Sequence, residues 1–240
     1  MAGNLGAALA TLGHRVLLAD LDEQCNLSTW LGGGKFSQHN IGALMLAPVA
    51  QTATWPMVSV DERLDLLPCH KLLGESLEKM RKQKDTLLYY RLRDRLALLA
   101  GRYDYVVLDC PPGLADGMTF NAFCAAQAYL VPTDPEPFSV EGLATMMQLA
   151  TGVQPELNPA LRFAGFVFPK YNPKLRAALR QQMLADVEAH YGTQTVLGNV
   201  RQDTAVYEAQ GFKKTLFAYK PDSRAAVDYL NITRKLLTRF

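Results

Sequence analysis

Gly13-His14-Arg15-Val16-Leu17-Leu18-Ala19-Asp20-Leu21-Asp22-Glu23-Gln24 is the stretch whose reading decides the fold. Gly13 is a helix stop. Val16 to Ala19 is a continuous apolar run, too short for a helix and not alternating with polar residues. Such a run reads as a strand covered on both faces. Two acids, Asp20 and Asp22, follow the run directly. A buried strand that ends in acids is the start of a candidate site, because open parallel sheets bind ligands beyond the carboxyl ends of their strands.

Working outward, Asn4 to Leu12 is rich in Ala and Leu and predicts a helix before the strand. Gly32-Gly33-Gly34 predicts a loop, and Ile41 to Ala47 a short helix closed by Pro48. Leu64-Asp65-Leu66-Leu67-Pro68 predicts a second strand. Gly74 to Ala100 predicts one long charged helical region. Tyr105 to Leu108 predicts a third buried strand, ending at Asp109-Cys110-Pro111-Pro112-Gly113. Helix is expected over Thr119 to Ala126, then strand over Ala128 to Pro132, and helix over Val140 to Ala150. Further strands are expected at Phe163 to Phe168 and Thr195 to Leu197, and further helices at Leu175 to Tyr191 and Asp222 to Leu237. Either Asp222 or Ser223 caps the last helix. Strands alternating with helices predict an α/β fold with a parallel sheet covered on both faces. With no internal repeat and no dividing linker, residues 1–240 read as a single domain.

The composition permits this. The 240 residues are 49% hydrophobic and 20% charged, which excludes a disordered or collagen-like chain. No apolar run reaches the ~20 residues of a membrane helix. No basic n-region or cleavage site marks a signal peptide. Net charge is only +2, but from Arg162 onward there are 13 basic residues against 6 acidic ones, so the C-terminal third is a candidate polyanion surface. Cys25, Cys69, Cys110 and Cys124 lack metal-ligand or disulfide spacing and read as reduced, mostly buried thiols. His14, His39, His70 and His190 are isolated and read as surface or turn residues.

Asp109 closes a second apolar strand, so two strand ends in one sheet carry acids. That is the usual arrangement for holding Mg²⁺ near nucleotide phosphates, directly or through water; a lone strand-end Asp merely caps the next helix. The blocks Asn4-Leu5-Gly6-Ala7-Ala8-Leu9-Ala10, Gly13 to Gln24 and Asn26-Leu27-Ser28 resemble the start of the ParA/Soj partition ATPases of the MinD/ParA superfamily. Tyr103-Asp104-Tyr105-Val106-Val107-Leu108-Asp109-Cys110-Pro111-Pro112 resembles that family's Walker B strand. Asn121-Ala122, Val131-Pro132, Glu141-Gly142-Leu143, Asn199-Val200-Arg201, Glu208-Ala209, Gly211, Ser223-Arg224-Ala225-Ala226 and Tyr229-Leu230 follow in family order. The resemblance covers nearly the whole chain.

The resemblance implies a P-loop NTPase-like, mostly parallel sheet and a set of roles. Asp22 matches the acid that orients or activates the attacking water, and Asp20 its partner in the same turn, near the magnesium. Asp109 matches the Walker B acid that holds magnesium through water. Pro169 and the Leu197-Gly198-Asn199 turn fall where the family encloses adenine. Lys174 and Arg201 fall where it carries cationic contacts to DNA phosphates. ATP and Mg²⁺ are the implied cofactors, hydrolysis to ADP and phosphate the implied reaction, and an ATP-sandwiched homodimer on nonspecific DNA the implied assembly. A ParB-like centromere-binding protein is the implied partner, and a bacterial cytoplasm, at the nucleoid, the implied location.

The sequence departs from the family pattern at several points. Glu23 stands for the usual proline, Gly113 for serine, Gly198 for an arginine and Lys174 for arginine. Lys174 keeps charge but loses the bidentate fork, which implies weaker DNA binding or its redistribution to Arg176 and Arg180. The family's first strand and its Lys-Gly-Gly-x-Gly-Lys-Thr-Thr loop, whose N–H groups and lysines cradle phosphates, are absent from these 240 residues. A late start assignment, a fragment and a pseudo-ATPase compete to explain this, and the retained acids favour the first two. Without the loop the chain is not expected to bind ATP tightly. Two alternatives stay open: a MinD-like membrane-associated ATPase using Ile232, Leu236, Leu237 and Phe240 as an amphipathic face, and a non-hydrolysing protein that only dimerises. Membrane binding is the less favoured, since a core-packing last helix explains the same pattern.

Overall fold

Residues 1–33, 39–48, 55, 57–71, 73–82, 88–111, 117–133, 147–172, 181, 185–189 and 191–240 are described by the structure, a computed structural model. The deciding stretch forms strand β1 (Val16–Asp20), buried at every position. It lies between β3 (Leu64–Leu67) and β4 (Tyr105–Asp109), parallel to both. A short strand, β2 (Val58–Asp61), pairs antiparallel with β3, giving the order β2-β3-β1-β4. The remaining strands, β5 (Ala128–Pro132), β6 (Arg162–Tyr171) and β7 (Val196–Arg201), make a second, wholly parallel sheet in that order.

Alternation along β1 sends side chains to two helix layers. Leu17 and Ala19 pack with Ile41, Leu44 and Met45 of α3 (Ile41–Leu46) and with Leu92, Met118 and Ala122. The last three lie on α5 (Arg91–Ala97) and α6 (Met118–Ala125). On the opposite face Val16 and Leu18 pack with Ala7 and Leu9 of α1 (Ala2–Thr11) and with Leu27 and Leu31 of α2 (Asn26–Leu31). Helix α4 (Leu73–Lys82) follows β3 and lies against α3.

Helix α1 joins the two sheets. Its Ala8 belongs to the cluster of Val167, Leu197 and Val200 from β6 and β7, while Ala7 and Leu9 belong to the first sheet's core. Gly6 permits the close approach: a β-carbon there would stand 2.5 Å from Leu18 Cδ2. The second sheet is covered by α7 (Thr204–Gly211), α8 (Leu216–Tyr219) and α9 (Arg224–Leu237), whose Ala225, Ala226, Tyr229 and Ile232 are buried. Ser223 is the N-cap of α9, its Oγ accepting from Ala226 N at 3.2 Å.

Four expectations change. β4 is not fully buried: Val106 is 37% exposed, because no described strand pairs with its second edge. β2 is an additional strand, short and alternately exposed on the sheet's rim, where its polar Ser59 and Asp61 face solvent at no cost. The single helix expected from Gly74 to Ala100 is instead α4, a 3₁₀ turn at Leu88–Tyr90 and α5. Arg91 and Arg95 of this region turn inward and donate to the carbonyls of Leu44, Met45 and Ala47 at the end of α3. Helices α7 and α8 are also additional, each opened by a side-chain cap, Asp203 and Thr215.

Candidate nucleotide and metal site

Asp20 and Asp109 are the last residues of β1 and β4 and are register partners. Directly paired residues of neighbouring parallel strands stand ~4.8 Å apart and share a face, so the sheet itself brings these two acids together. Asp22 follows Asp20 in the same turn, with its N–H donating to Asp20 Oδ1 at 3.2 Å. Asp22 Oδ1 accepts from Gln24 N at 3.0 Å, a local turn that holds the carboxylate at the rim.

Asp20 is fully buried and occupied. Its Oδ2 accepts from Ser28 N at 2.8 Å and Ser28 Oγ at 2.6 Å. Ser28 Oγ in turn accepts from Cys69 N at 2.8 Å, tying the acid turn, α2 and the end of β3 into one network. Ser28 carried no assigned role in the sequence; its sign there is a serine in the first turn of the helix after the acids.

Burial is the first cause pushing the Asp20 carboxyl above the ordinary carboxylate range, opposed by the Ser28 and Asp22 hydrogen bonds. Asp109 is pushed up to about 6, first by burial and then by Asp20 and Asp22, against the pull of the α-ammonium at Met1. Burial thus comes first at both carboxyls, with the neighbouring acids adding to it. Among the described residues, no group of three or more His, Cys, Asp or Glu side chains converges to hold a metal ion unaided. Two neighbouring acids suit a cation that keeps most of its waters, as Mg²⁺ does.

At the carboxyl ends of the second sheet, Phe168 is the register partner of Asn199, which sets Pro169 beside Asn199. Asn199 Oδ1 is buried and has no hydrogen-bond partner among the described residues. A buried lone acceptor calls for a donor. Gly198 before it has φ 155°, a conformation that L side chains rarely adopt, and a β-carbon there would stand 3.0 Å from Ile232 Cγ1. Backbone conformation and packing against α9 together explain glycine where the family pattern has arginine.

Arg201 ends β7 and is already paired. Its Nε and Nη2 contact the Asp228 carboxylate at 2.9 and 2.8 Å, and its backbone N donates to the same group. That partner raises the guanidinium above its ordinary value. Lys174, Arg176 and Arg180 lie outside the described residues, as do Gly113 and Glu141-Gly142-Leu143. The apolar face of α9 packs on β7 and α1, and no helix among the described residues is long and apolar enough to cross a membrane.

The model of the AAA domain family matches residues 1–163. The chromosome partitioning protein ParA of Caulobacter vibrioides is 35% identical over 239 residues, covering 98% of this chain and 87% of the relative. The chromosome-partitioning ATPase Soj of Thermus thermophilus is 32% identical, covering 98% and 88%. Among solved structures, the cobyrinic acid a,c-diamide synthase of Mycobacterium smegmatis with bound ATP analog and magnesium superposes with a TM-score of 0.79 at 26% identity, covering 99% of this chain and 88% of that one. A match across nearly the full length at this identity means that the chain belongs to the ParA/Soj family of partition ATPases in the MinD/ParA superfamily.

Proposed function

We propose that this chain takes part in ATP-dependent partitioning of plasmid or chromosomal DNA at the nucleoid, as a homodimer bound nonspecifically to DNA and stimulated by a ParB-like protein. The observation that carries the reading is the register pairing of Asp20 with Asp109, with Asp22 on the adjoining turn. In this reading Asp109 holds hydrated Mg²⁺, Asp22 orients the attacking water, and Asp20 fixes Asp22 while adding negative charge near the metal. Magnesium, when bound, neutralises phosphate charge. Asn199 Oδ1 and Pro169 form the adenine side, where the lone buried acceptor suits an exocyclic amine. In this reading these residues are the metal, water and base sides of the site.

DNA binding falls to Lys174, Arg176, Arg180 and Arg201. Since Asp228 already engages Arg201, Lys174 and its neighbours carry most of the phosphate pairing. Retention of nonspecific duplex DNA across a salt series tests this. The Lys174→Ala/Arg201→Ala variant is expected to bind more weakly and to lower the salt slope by up to about 2, roughly one for each phosphate no longer neutralised. Unchanged affinity and slope refute the DNA assignment. Cosedimentation with anionic vesicles in place of DNA turns the reading to the MinD-like branch.

A further inference from the structure

Phe212 follows α7 directly and, at 66%, is the most exposed large apolar side chain among the described residues. Its ring stacks on that of Tyr219, with centroids 5.4 Å apart and planes 20° from parallel, an offset arrangement. The Tyr219 hydroxyl donates to Glu208 Oε2 at 3.1 Å, which fixes the partner ring. The backbone beneath is fixed as well. Phe212 N donates to Glu208 O at 2.9 Å, Lys213 N to Gln210 O at 3.1 Å and Lys214 N to Ala209 O at 2.9 Å. Lys214 O accepts from Trp30 Nε1 at 2.9 Å, which ties the turn to α2. Lys213 holds a left-handed φ of 53°, a position that favours glycine, so the turn carries a cation beside the exposed ring at some conformational cost. Lys213 and Lys220 each follow one ring of the pair in sequence. Both are exposed, as is Lys214, and among the described residues no carboxylate forms an ion pair with any of the three.

We propose that Phe212, backed by Tyr219 and flanked by Lys213, Lys214 and Lys220, is a binding site for single-stranded nucleic acid, held through an unpaired base. A pair of fixed, stacked rings with most of the outer ring in solvent offers a flat apolar surface. An unpaired base extends it as the third member of the stack, and the flanking ammonium groups neutralise the phosphates on either side. A duplex fits this patch less well, because one of its bases reaches Phe212 only by leaving its own stack. A second copy of this chain fits less well again, because a twofold pairing here sets the same three lysines against one another. None of these residues belongs to the duplex-phosphate contacts proposed above, so the two readings stand or fall separately.

The test titrates the full chain into fluorescently labelled oligothymidine of about 20 nucleotides, an abasic strand of the same length and a duplex, and follows anisotropy. Phe212→Ala is expected to weaken binding to oligothymidine by about 5- to 150-fold, the range for one stacked base. Its affinity for the abasic strand and the duplex, and its circular dichroism spectrum, are expected to match the parent's. Phe212→Trp, which keeps a stacking face, is expected to bind oligothymidine like the parent. Lys213→Ala/Lys214→Ala is expected to weaken both single strands and to lower their salt slope by up to about 1.4, roughly 0.7 for each phosphate no longer neutralised. Failure of the parent to bind oligothymidine, or equal binding by Phe212→Ala, overturns the proposal. An equal loss on the abasic strand also overturns it, since Phe212 then supports the turn rather than a base. Cosedimentation with anionic vesicles that Phe212→Ala abolishes, with oligothymidine binding unchanged, overturns it in favour of a lipid surface.

Discussion

Replacing Asp109 by Asn separates the electrostatics of the acid site from its packing. The side chain is isosteric, and the β4–β1 backbone ladder is untouched. An ordinary Asp carboxyl sits near 3.8; burial and the two neighbouring acids push Asp109 up to about 6. The folded state therefore binds this proton more tightly than the unfolded state. The stability it contributes is fully present below the unfolded value, near pH 4, and is lost as pH rises through about 6. Above that, the folded protein carries an ionised, crowded carboxylate at a cost of roughly 3 kcal/mol on 1.36 kcal/mol per pH unit. Asn is neutral at every pH. After discount for partial solvent access, Asp109→Asn is expected to be more stable than the parent by about 2 kcal/mol at pH 7.5, or roughly 4–8 °C in Tm for a chain of this size. At pH 4 the two are expected to coincide. Urea titrations and thermal melts at both pH values, without divalent cations, measure the difference. Millimolar Mg²⁺ at pH 7.5 is expected to narrow it, because the cation favours the ionised parent only. A variant no more stable than the parent at pH 7.5, or a gain of equal size at both pH values, refutes the account of a buried carboxyl crowded by Asp20 and Asp22.

Ser28→Ala leaves the buried Cys69 N–H without its acceptor and removes one donor from Asp20; it is expected to cost about 2–4 kcal/mol in urea unfolding, and a loss under about 0.5 kcal/mol counts against the network. Asp104 receives Arg15 N and Nη2 at 2.7 Å each, which holds its carboxyl down at about 2. The destabilisation by Asp104→Asn is therefore expected to be constant above pH 4 and to shrink as pH falls through about 2, read as the convergence of the two unfolding midpoints. Gly6→Ala and Gly152→Ala are expected to differ in sign. Gly152 lies in the helix over 147–153, where an alanine meets nothing within 4 Å and gains about 0.5–1 kcal/mol of helix propensity. An alanine at Gly6 meets Leu18 Cδ2 at 2.5 Å and loses about 1–3 kcal/mol to overpacking; a stabilised Gly6→Ala means that α1 is not seated on β1 as described.

Legibility in the sequence followed the range of the physics at each position. Val16 to Asp20 was readable because full burial on two faces leaves a run of apolar residues with no alternation, and this strand is central in its sheet. Tyr105 to Asp109 has the same apolar signature, yet its exposure depends on a second edge that no described strand covers, which is a tertiary fact. β2 was not readable, because four residues with two polar side chains carry too little pattern to separate an edge strand from a turn. The acids were found as strand ends, but their pairing was not: register between residues 89 positions apart is set by the sheet. Arg201 illustrates the opposite error of scope. Its charge was legible, while its partner Asp228 comes from a helix 27 residues away in sequence, so a cation counted for the DNA face is already engaged by an ion pair at the surface.

The three acids also cease to be equivalent once their oxygens are followed. Asp20 accepts three hydrogen bonds, two on Oδ2 and one on Oδ1, and is fully buried. Little acceptor capacity is left on it for a water or a metal. Asp22 accepts one backbone N–H in its own turn at the rim, and Asp109 is raised first by burial and then by the neighbouring Asp20 and Asp22. The geometry thus supports a division of labour in which Asp20 is the positioning residue and Asp22 and Asp109 face the chemistry. It also explains why Ser28 matters more than an ordinary helix-end serine: it satisfies Asp20, and Asp20 holds the Asp22 turn. A loss of Ser28 should therefore disturb the turn that carries Asp22 before it disturbs β4, and hydrogen exchange in Ser28→Ala should rise at residues 21–28 while the Tyr105–Asp109 amides stay protected.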